Sequence, residues 1–211
     1  MHGIAIKRLG HNVHILEKNP SSLRDGEAAG ISAGPQVQEF LRNHDLCKQQ
    51  YSLLSPGIQY TDKDMNVKHF RKFSLQMTSW NVLYYRLRAN FDAFPSAYCR
   101  NPPEMAESEG KAVYDLGKRV TEVLYKDGLF TLHFEDLIHG SAGSLQADRV
   151  IAADGSNSRI RKLVAPHAKR TYAGYVAWRG LVAEKDISDE SRKVFDGKTT
   201  LTIMDRNYIV L

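Results

Sequence analysis

The sequence predicts an α/β chain, on three observations. A short helical stretch meets Gly10 and passes into a strand that ends in Glu17; an apolar run at 149–153 leads directly into Asp154-Gly155; and alternating stretches with turn residues fill much of the remainder. Composition agrees. With 42% hydrophobic and 25% charged residues, 15 Gly and 7 Pro, the chain is not collagen-like, mucin-like or disordered, and 211 residues suffice for one large domain or two small ones.

The elements follow in order. Ile4, Ala5 and Leu9 share helical spacing before the glycine stop, and 12–17 reads as a strand. Asn19 to Ser22 is a loop. Pro35 near a first turn, with Val37, Phe40 and Leu41 behind it, predicts a second helix ending near His44-Asp45. Residues 56–75 read as a β-hairpin around Asp62-Lys63-Asp64. Trp80, Leu83, Tyr84, Leu87 and Phe91 then fall at helical spacing behind Thr78-Ser79, so 80–91 is a capped helix with Trp80, Tyr84, Leu87 and Phe91 in the core. Alternation resumes at Ala112, and Asp127-Gly128 between two alternating runs predicts a second hairpin. Residues 149–153 read as a buried strand, 159 onward as a short helix, and 173–183 and 199–211 as strands.

Charge and cysteine narrow the function classes. A net charge of +5 comes from 29 basic residues interspersed with 24 acidic ones, so the basic runs Lys68–Lys72 and Arg159–Lys162 read as solvated faces and no nucleic-acid partner is expected. Cys47 and Cys99 lie far apart in sequence without metal-ligand spacing, which predicts ordinary buried thiols and no metal site. No apolar run approaches a membrane span and no leader pattern opens the chain, so the expectation is a cytoplasmic protein with no membrane partner. No G-x-S-x-G elbow is present, and no catalytic residue stands out.

Two constellations can carry chemistry. The helix, glycine turn and strand ending in Glu17 have the form of the second half of a Rossmann βαβ unit, in which a strand-end acid binds the ribose hydroxyls. An Asp-Gly pair after an apolar strand puts a carboxylate and a permissive backbone where open α/β sheets bind ligands, and Arg161 offers a fork suited to phosphate or to Asp154.

The stretch from Ala147 to Arg161 resembles the DG motif of single-component, class A FAD-dependent aromatic hydroxylases, with Asp154, Gly155, Ser158 and Arg161 at its defining positions. His2 to Pro20 is similar to the helix and strand after that family's first glycine loop. Residues 78–91 and 175–180 are similar to the 2,6-dihydroxypyridine 3-monooxygenase-like branch, including Trp80 where many relatives carry Arg.

The resemblance implies a partial Rossmann-type FAD-binding domain (1–55 and 76–165) interleaved with a β-sheet substrate domain (56–75 and 166–211), both incomplete. The glycine loop would precede Met1 and the later Gly-Asp motif would follow Leu211, so the chain corresponds to the middle of the family pattern. The implied cofactors are FAD, with NADH or NADPH as reductant, and the implied reaction is hydroxylation of an aromatic or hydroxypyridine ring with molecular oxygen. By resemblance, Glu17 holds the ribose with Lys18 beside it, Gln76 lies near the flavin or pyrophosphate, and Asp154, Gly155, Ser158 and Arg161 serve the pyrophosphate and the nicotinamide cofactor. Tyr175 and Trp178 are candidates for lining a substrate pocket, and a homodimer is expected. The alternative is a truncated, non-catalytic gene product that keeps part of the fold without flavin.

Overall fold

A computed structural model gives the fold, and it describes residues 1–22, 30–174, 182–195, 197, 199–203 and 208–210. In chain order the elements are α1 (His2–Arg8), β1 (Val13–Glu17), β2 (Gly30–Ala33), α2 (Pro35–His44), β3 (Leu53–Thr61), β4 (Val67–Ser79), α3 (Trp80–Asp92), β5 (Ala112–Leu116), β6 (Lys118–Lys126), β7 (Leu129–Asp136), β8 (Ser141–Ala147), α4 (Arg159–Val164), α5 (Asp189–Phe195), β9 (Thr199–Ile203) and β10 (Tyr208–Val210). Two units result, one of Met1–Ala5, Asp25–Glu107 and Trp178–Leu211, the other of Ile6–Arg24 and Ser108–Ala177.

In the second unit, α1 ends as its glycine predicts. Gly10, at φ +87, lets its own N–H donate to the Lys7 carbonyl and that of His11 to the Ile6 carbonyl, a Schellman closure that satisfies two orphan carbonyls. The chain then reverses into β1, which pairs in parallel with β5, Val13 opposite Ala112 and Glu17 opposite Leu116. The approach of the two segments leaves no room for a side chain at Gly110: a Cβ there would stand 2.0 Å from the His11 carbonyl oxygen. Beside it the Lys7 ammonium, almost wholly buried, meets Glu109 at 2.8 Å. Strands β6, β7 and β8 form an antiparallel meander. Asp127 and Gly128, both at positive φ, make the tight turn that the sequence predicts.

The first unit holds a five-stranded sheet in the order β10-β9-β3-β4-β2, antiparallel except where β3 runs beside β9. Its hairpin turns at 62–66, where the Asp62 carboxylate accepts backbone N–H bonds from Asp64 and Asn66. Alternate residues of β3 (Ser55, Gln59 and Thr61) are buried and polar, and they are satisfied across the sheet: Gln59 donates to Thr200 Oγ1 at 2.7 Å, and Thr61 and Thr202 share a hydrogen bond of 2.8 Å. Helix α2 starts on Pro35 and closes at Asp45, and Ser79 caps α3 by accepting from the Val82 N–H. Cys47, Ala89 and Cys99 form one buried cluster of this unit.

Several expectations need correction. Residues 149–153 form no strand and Ile151 is exposed, because neither β1 nor β5 pairs with them and a parallel strand without a ladder partner has no satisfied backbone. On α3 only Phe91 of the expected apolar stripe is buried; Trp80, Tyr84 and Leu87 are half-buried, while Arg86, Arg88 and Asn90 lie inside, held by ion pairs and hydrogen bonds. The stretch 199–211 contains two strands instead of one. The expected strand 173–183 falls largely on residues outside the described ones, as do Tyr175 and Trp178; residues 173, 174, 182 and 183 are not in a strand. Strand β8 and helix α5 were not anticipated. The two cysteines, distant in sequence, lie in contact.

Candidate functional site

The residues singled out from the sequence divide between the two units. Glu17, Lys18, Asp154, Gly155, Ser158 and Arg161 all belong to the unit built on β1 and β5, whereas Gln76 belongs to the five-stranded sheet.

Glu17 ends β1, half-buried, and its Oε1 accepts the Asn19 N–H at 2.8 Å, which fixes the carboxylate as the chain leaves the strand. Lys18 follows it, exposed. The carboxyl end of a parallel strand is where α/β sheets place ligand-binding groups, and a fixed acid there is suited to accept hydrogen bonds from a diol.

The Asp154 turn is tied to α4. The Asp154 carboxylate accepts the N–H groups of Arg159 at 2.7 Å and Ile160 at 3.2 Å, and the buried Ser158 hydroxyl caps the same helix by accepting from the Arg161 N–H at 2.8 Å. Slight burial works to raise the Asp154 pKa, but hydrogen bonds from Ser158, Ile160 and Arg159 outweigh it and hold the carboxyl below its ordinary value. Gly155 stands at φ +78, and a Cβ there would meet nothing within 4 Å. The space beside its Cα is therefore open to an incoming group, its carbonyl accepts the Ser158 N–H at 3.2 Å, and its conformation favours glycine. Arg161 does not pair with Asp154; its guanidinium reaches back to the Ser156 carbonyl at 2.5 Å. Asp154, Ser158 and Arg161 thus hold the shape of the turn around Gly155.

Arg159, Lys162 and Leu163 of α4 line a concavity of about 470 Å³ with Thr121 of β6. The two cations give it an anion-compatible wall. Arg159 and Lys162 are exposed, as the reading of this basic run as a solvated face expects, and the run lies directly after the Asp-Gly turn.

In the other unit, Gln76 sits in β4 opposite Ala33 and Leu54, and its Oε1 accepts the Ser52 hydroxyl proton at 2.8 Å. Sequence reasoning missed the buried polar hub of this unit. Arg86 pairs with Asp45 and donates to the Cys47 carbonyl at 2.5 Å, and Asn90 donates to Asp45 Oδ1 at 2.8 Å. A basic residue on a helix reads as exposed, and only the acid 41 positions earlier reveals its burial.

Comparison with known proteins gives three kinds of match. The family described as "FAD binding domain-like" matches residues 172–211. Among curated proteins, 2,6-dihydroxypyridine 3-monooxygenase of Paenarthrobacter nicotinovorans is 23% identical over 98% of this chain and 46% of its own length. The 6-hydroxynicotinate 3-monooxygenase of Bordetella bronchiseptica is 29% identical over 82% of this chain and 42% of its own. FAD-dependent urate hydroxylase of Klebsiella pneumoniae reaches 42% identity over 37% of this chain and 20% of its own. Among solved structures, Klebsiella pneumoniae HpxO complexed with FAD and uric acid covers 99% of this chain and 49% of its own, with a TM-score of 0.67 at 23% identity. This likeness shows the fold: a mixed helix and strand architecture shared with that protein. The chain spans less than half the length of the curated relatives it matches over most of its own length. The resemblance read from the sequence is borne out, since the chain is similar to FAD-dependent aromatic hydroxylases.

Proposed function

We propose that this chain is part of an FAD-dependent monooxygenase that hydroxylates an aromatic or hydroxypyridine ring with NADH or NADPH and molecular oxygen. The observation that carries the reading is the Asp154-Gly155 turn, with its open glycine backbone and its acid and serine locked on α4, in the same unit as the strand-end acid Glu17. The names of the relatives favour a hydroxylated pyridine, or a urate-like ring, as substrate class.

The residues present fit a flavin dinucleotide. Glu17 offers acceptors for the ribose hydroxyls with Lys18 beside it, and Gly155 leaves its backbone open toward a phosphate. Asp154, Ser158 and Arg161 act one step back, keeping the turn in shape. By the same resemblance, Gln76 would approach the flavin or pyrophosphate through its carboxamide. When bound, FAD would supply the redox chemistry, accepting a hydride from the nicotinamide and activating oxygen toward the ring. The chain's own task is to bind, orient and exclude water. The same reading assigns 1–55 and 76–165 to the flavin-binding part and 56–75 and 166–211 to the substrate sheet, and it includes a homodimer in the cytoplasm.

The test is oxygen incorporation. The chain, supplied with FAD, NADH or NADPH and labelled dioxygen, is incubated with 2,6-dihydroxypyridine, 6-hydroxynicotinate or urate, and the products are analysed by mass spectrometry. A ring product carrying one labelled oxygen is expected. Retained flavin that oxidises NAD(P)H with no label in any ring would overturn the proposal.

A further inference from the structure

Cys47 and Cys99 are separated by 52 residues, yet their sulfurs stand 3.2 Å apart. Both thiols are free, Cys99 is fully buried and Cys47 nearly so. Their backbones are held independently. Cys47 follows the end of α2, where its N–H donates to Asp45 Oδ1 at 2.9 Å, its carbonyl accepts from Arg86, and its sulfur accepts from Asn90 Nδ2 at 3.3 Å. Cys99 closes a small turn after α3, exchanging backbone hydrogen bonds of 3.0 and 3.2 Å with Ser96. A disulfide needs the sulfurs at about 2.05 Å, so closure requires them to approach by only about 1 Å.

We infer that Cys47 and Cys99 form a redox-sensitive latch, in which oxidation by a peroxide joins their sulfurs and ties the exit of α2 to the segment after α3. In the first step one thiol, as thiolate, attacks a peroxide oxygen and becomes a sulfenic acid while the O–O bond breaks and hydroxide leaves. In the second, the other sulfur displaces the sulfenic oxygen as water. The net reaction takes two thiols and one hydrogen peroxide to one disulfide and two waters. Both partners are already in contact, so the sulfenic acid is resolved within the chain.

The surroundings set the rate. Burial, followed by the hydrogen bond with Cys99 and the charge of Asp45, pushes the Cys47 thiol up to about 12, with Arg86 opposing. At neutral pH the Cys47 sulfur is therefore held as the thiol and reacts slowly, so the latch responds to sustained oxidant. Asp45, Arg86 and Asn90 hold the Cys47 end in place while it closes, and the Ser96 backbone holds the Cys99 end. This inference does not rest on the proposed reaction.

The experiment treats the purified chain with excess hydrogen peroxide or with dithiothreitol, then alkylates it in denaturant and digests it. Expected after peroxide is a cross-linked peptide pair containing Cys47 and Cys99 from one chain, no alkylation of either, and a melting temperature higher than that of the reduced chain by at least about 5 °C, because a loop of this length is closed. The Cys47→Ser chain should show no such rise. Two alkylated thiols after prolonged peroxide would overturn the proposal. So would sulfinic acid at one cysteine without a cross-link, linkage only between two chains, or a cross-link that leaves the melting temperature unchanged or lower.

Discussion

Replacing Arg86 by Met isolates the energetics of the buried hub. The guanidinium, almost wholly buried, pairs with Asp45, donates to the Cys47 carbonyl at 2.5 Å and lies 5.4 Å from the centre of the Tyr51 ring. Met preserves most of the volume, so the change leaves packing largely intact but strands the Asp45 carboxylate inside the protein. Breaking a buried pair by removing one partner costs about 3–5 kcal/mol. Asp45 keeps two donors, Asn90 Nδ2 and the Cys47 N–H, which argues for the lower part of that range. Loss of the donor to the Cys47 carbonyl adds about 1 kcal/mol. A total near 4 kcal/mol is a large share of the roughly 5–15 kcal/mol that holds a domain together. With a urea slope of about 2 kcal/mol per molar, Arg86→Met should lower the unfolding midpoint by about 2 M. Adding Asp45→Leu removes the stranded charge and should restore a good part of the loss. A midpoint shift under about 0.5 M for Arg86→Met, or a double variant less stable than the single one, would mean that the Arg86–Asp45 pair does not hold the hub together.

Other outcomes follow from local geometry. Gly110→Ala places a methyl group against the His11 carbonyl and the Asn12 N–H, both backbone, so it should lower the melting temperature by about 5–10 °C, measured by calorimetry. Ser79→Ala removes the N-cap of α3 and should cost about 1 kcal/mol in urea titrations. The Asp136 carboxyl is held well below its ordinary value, first by its hydrogen bond to Lys118 and then by that to His139. A depressed carboxylate contributes stability above its unfolded pKa of about 4 that is lost as pH falls toward the folded value, so Asp136→Asn should flatten the acid limb of a stability–pH profile below about pH 4. An unchanged acid limb in that variant would remove Asp136 from the account.

What the sequence revealed is local. The Gly10 stop, the Ser79 cap, Pro35 at the start of α2 and the Asp127-Gly128 turn each act within a few residues of themselves, and all four appear in the structure as read. What escaped depends on distant partners. Strand β8 has the sequence SAGSLQA, poor in β-branched residues; it forms because it can pair with β7, where Gly143 lies so close under the Phe134 ring that a Cβ would stand 2.7 Å from it. The run 149–153 is the converse: its local pattern is strand-like, but no neighbour supplies the ladder. At the candidate site, the residue types at 17, 154, 155, 158 and 161 were legible. Their division of labour was not, since only coordinates reveal that Arg161 turns to Ser156 and that Asp154 holds the α4 backbone. The buried Arg86 hub and the Cys47–Cys99 contact join positions about 40–50 residues apart, beyond the reach of periodicity.

We propose a flavin site built around Glu17 and the Asp154-Gly155 turn. Its most direct test is equilibrium binding of FAD to the purified, folded chain, followed by flavin absorbance and fluorescence after free cofactor is removed, with Glu17→Gln measured alongside. The account predicts retained flavin and an affinity reduced about tenfold in the variant, the loss of one charge-assisted hydrogen bond to the ribose. A chain that is folded by circular dichroism yet retains no flavin, or one whose affinity is indifferent to Glu17→Gln, would contradict it.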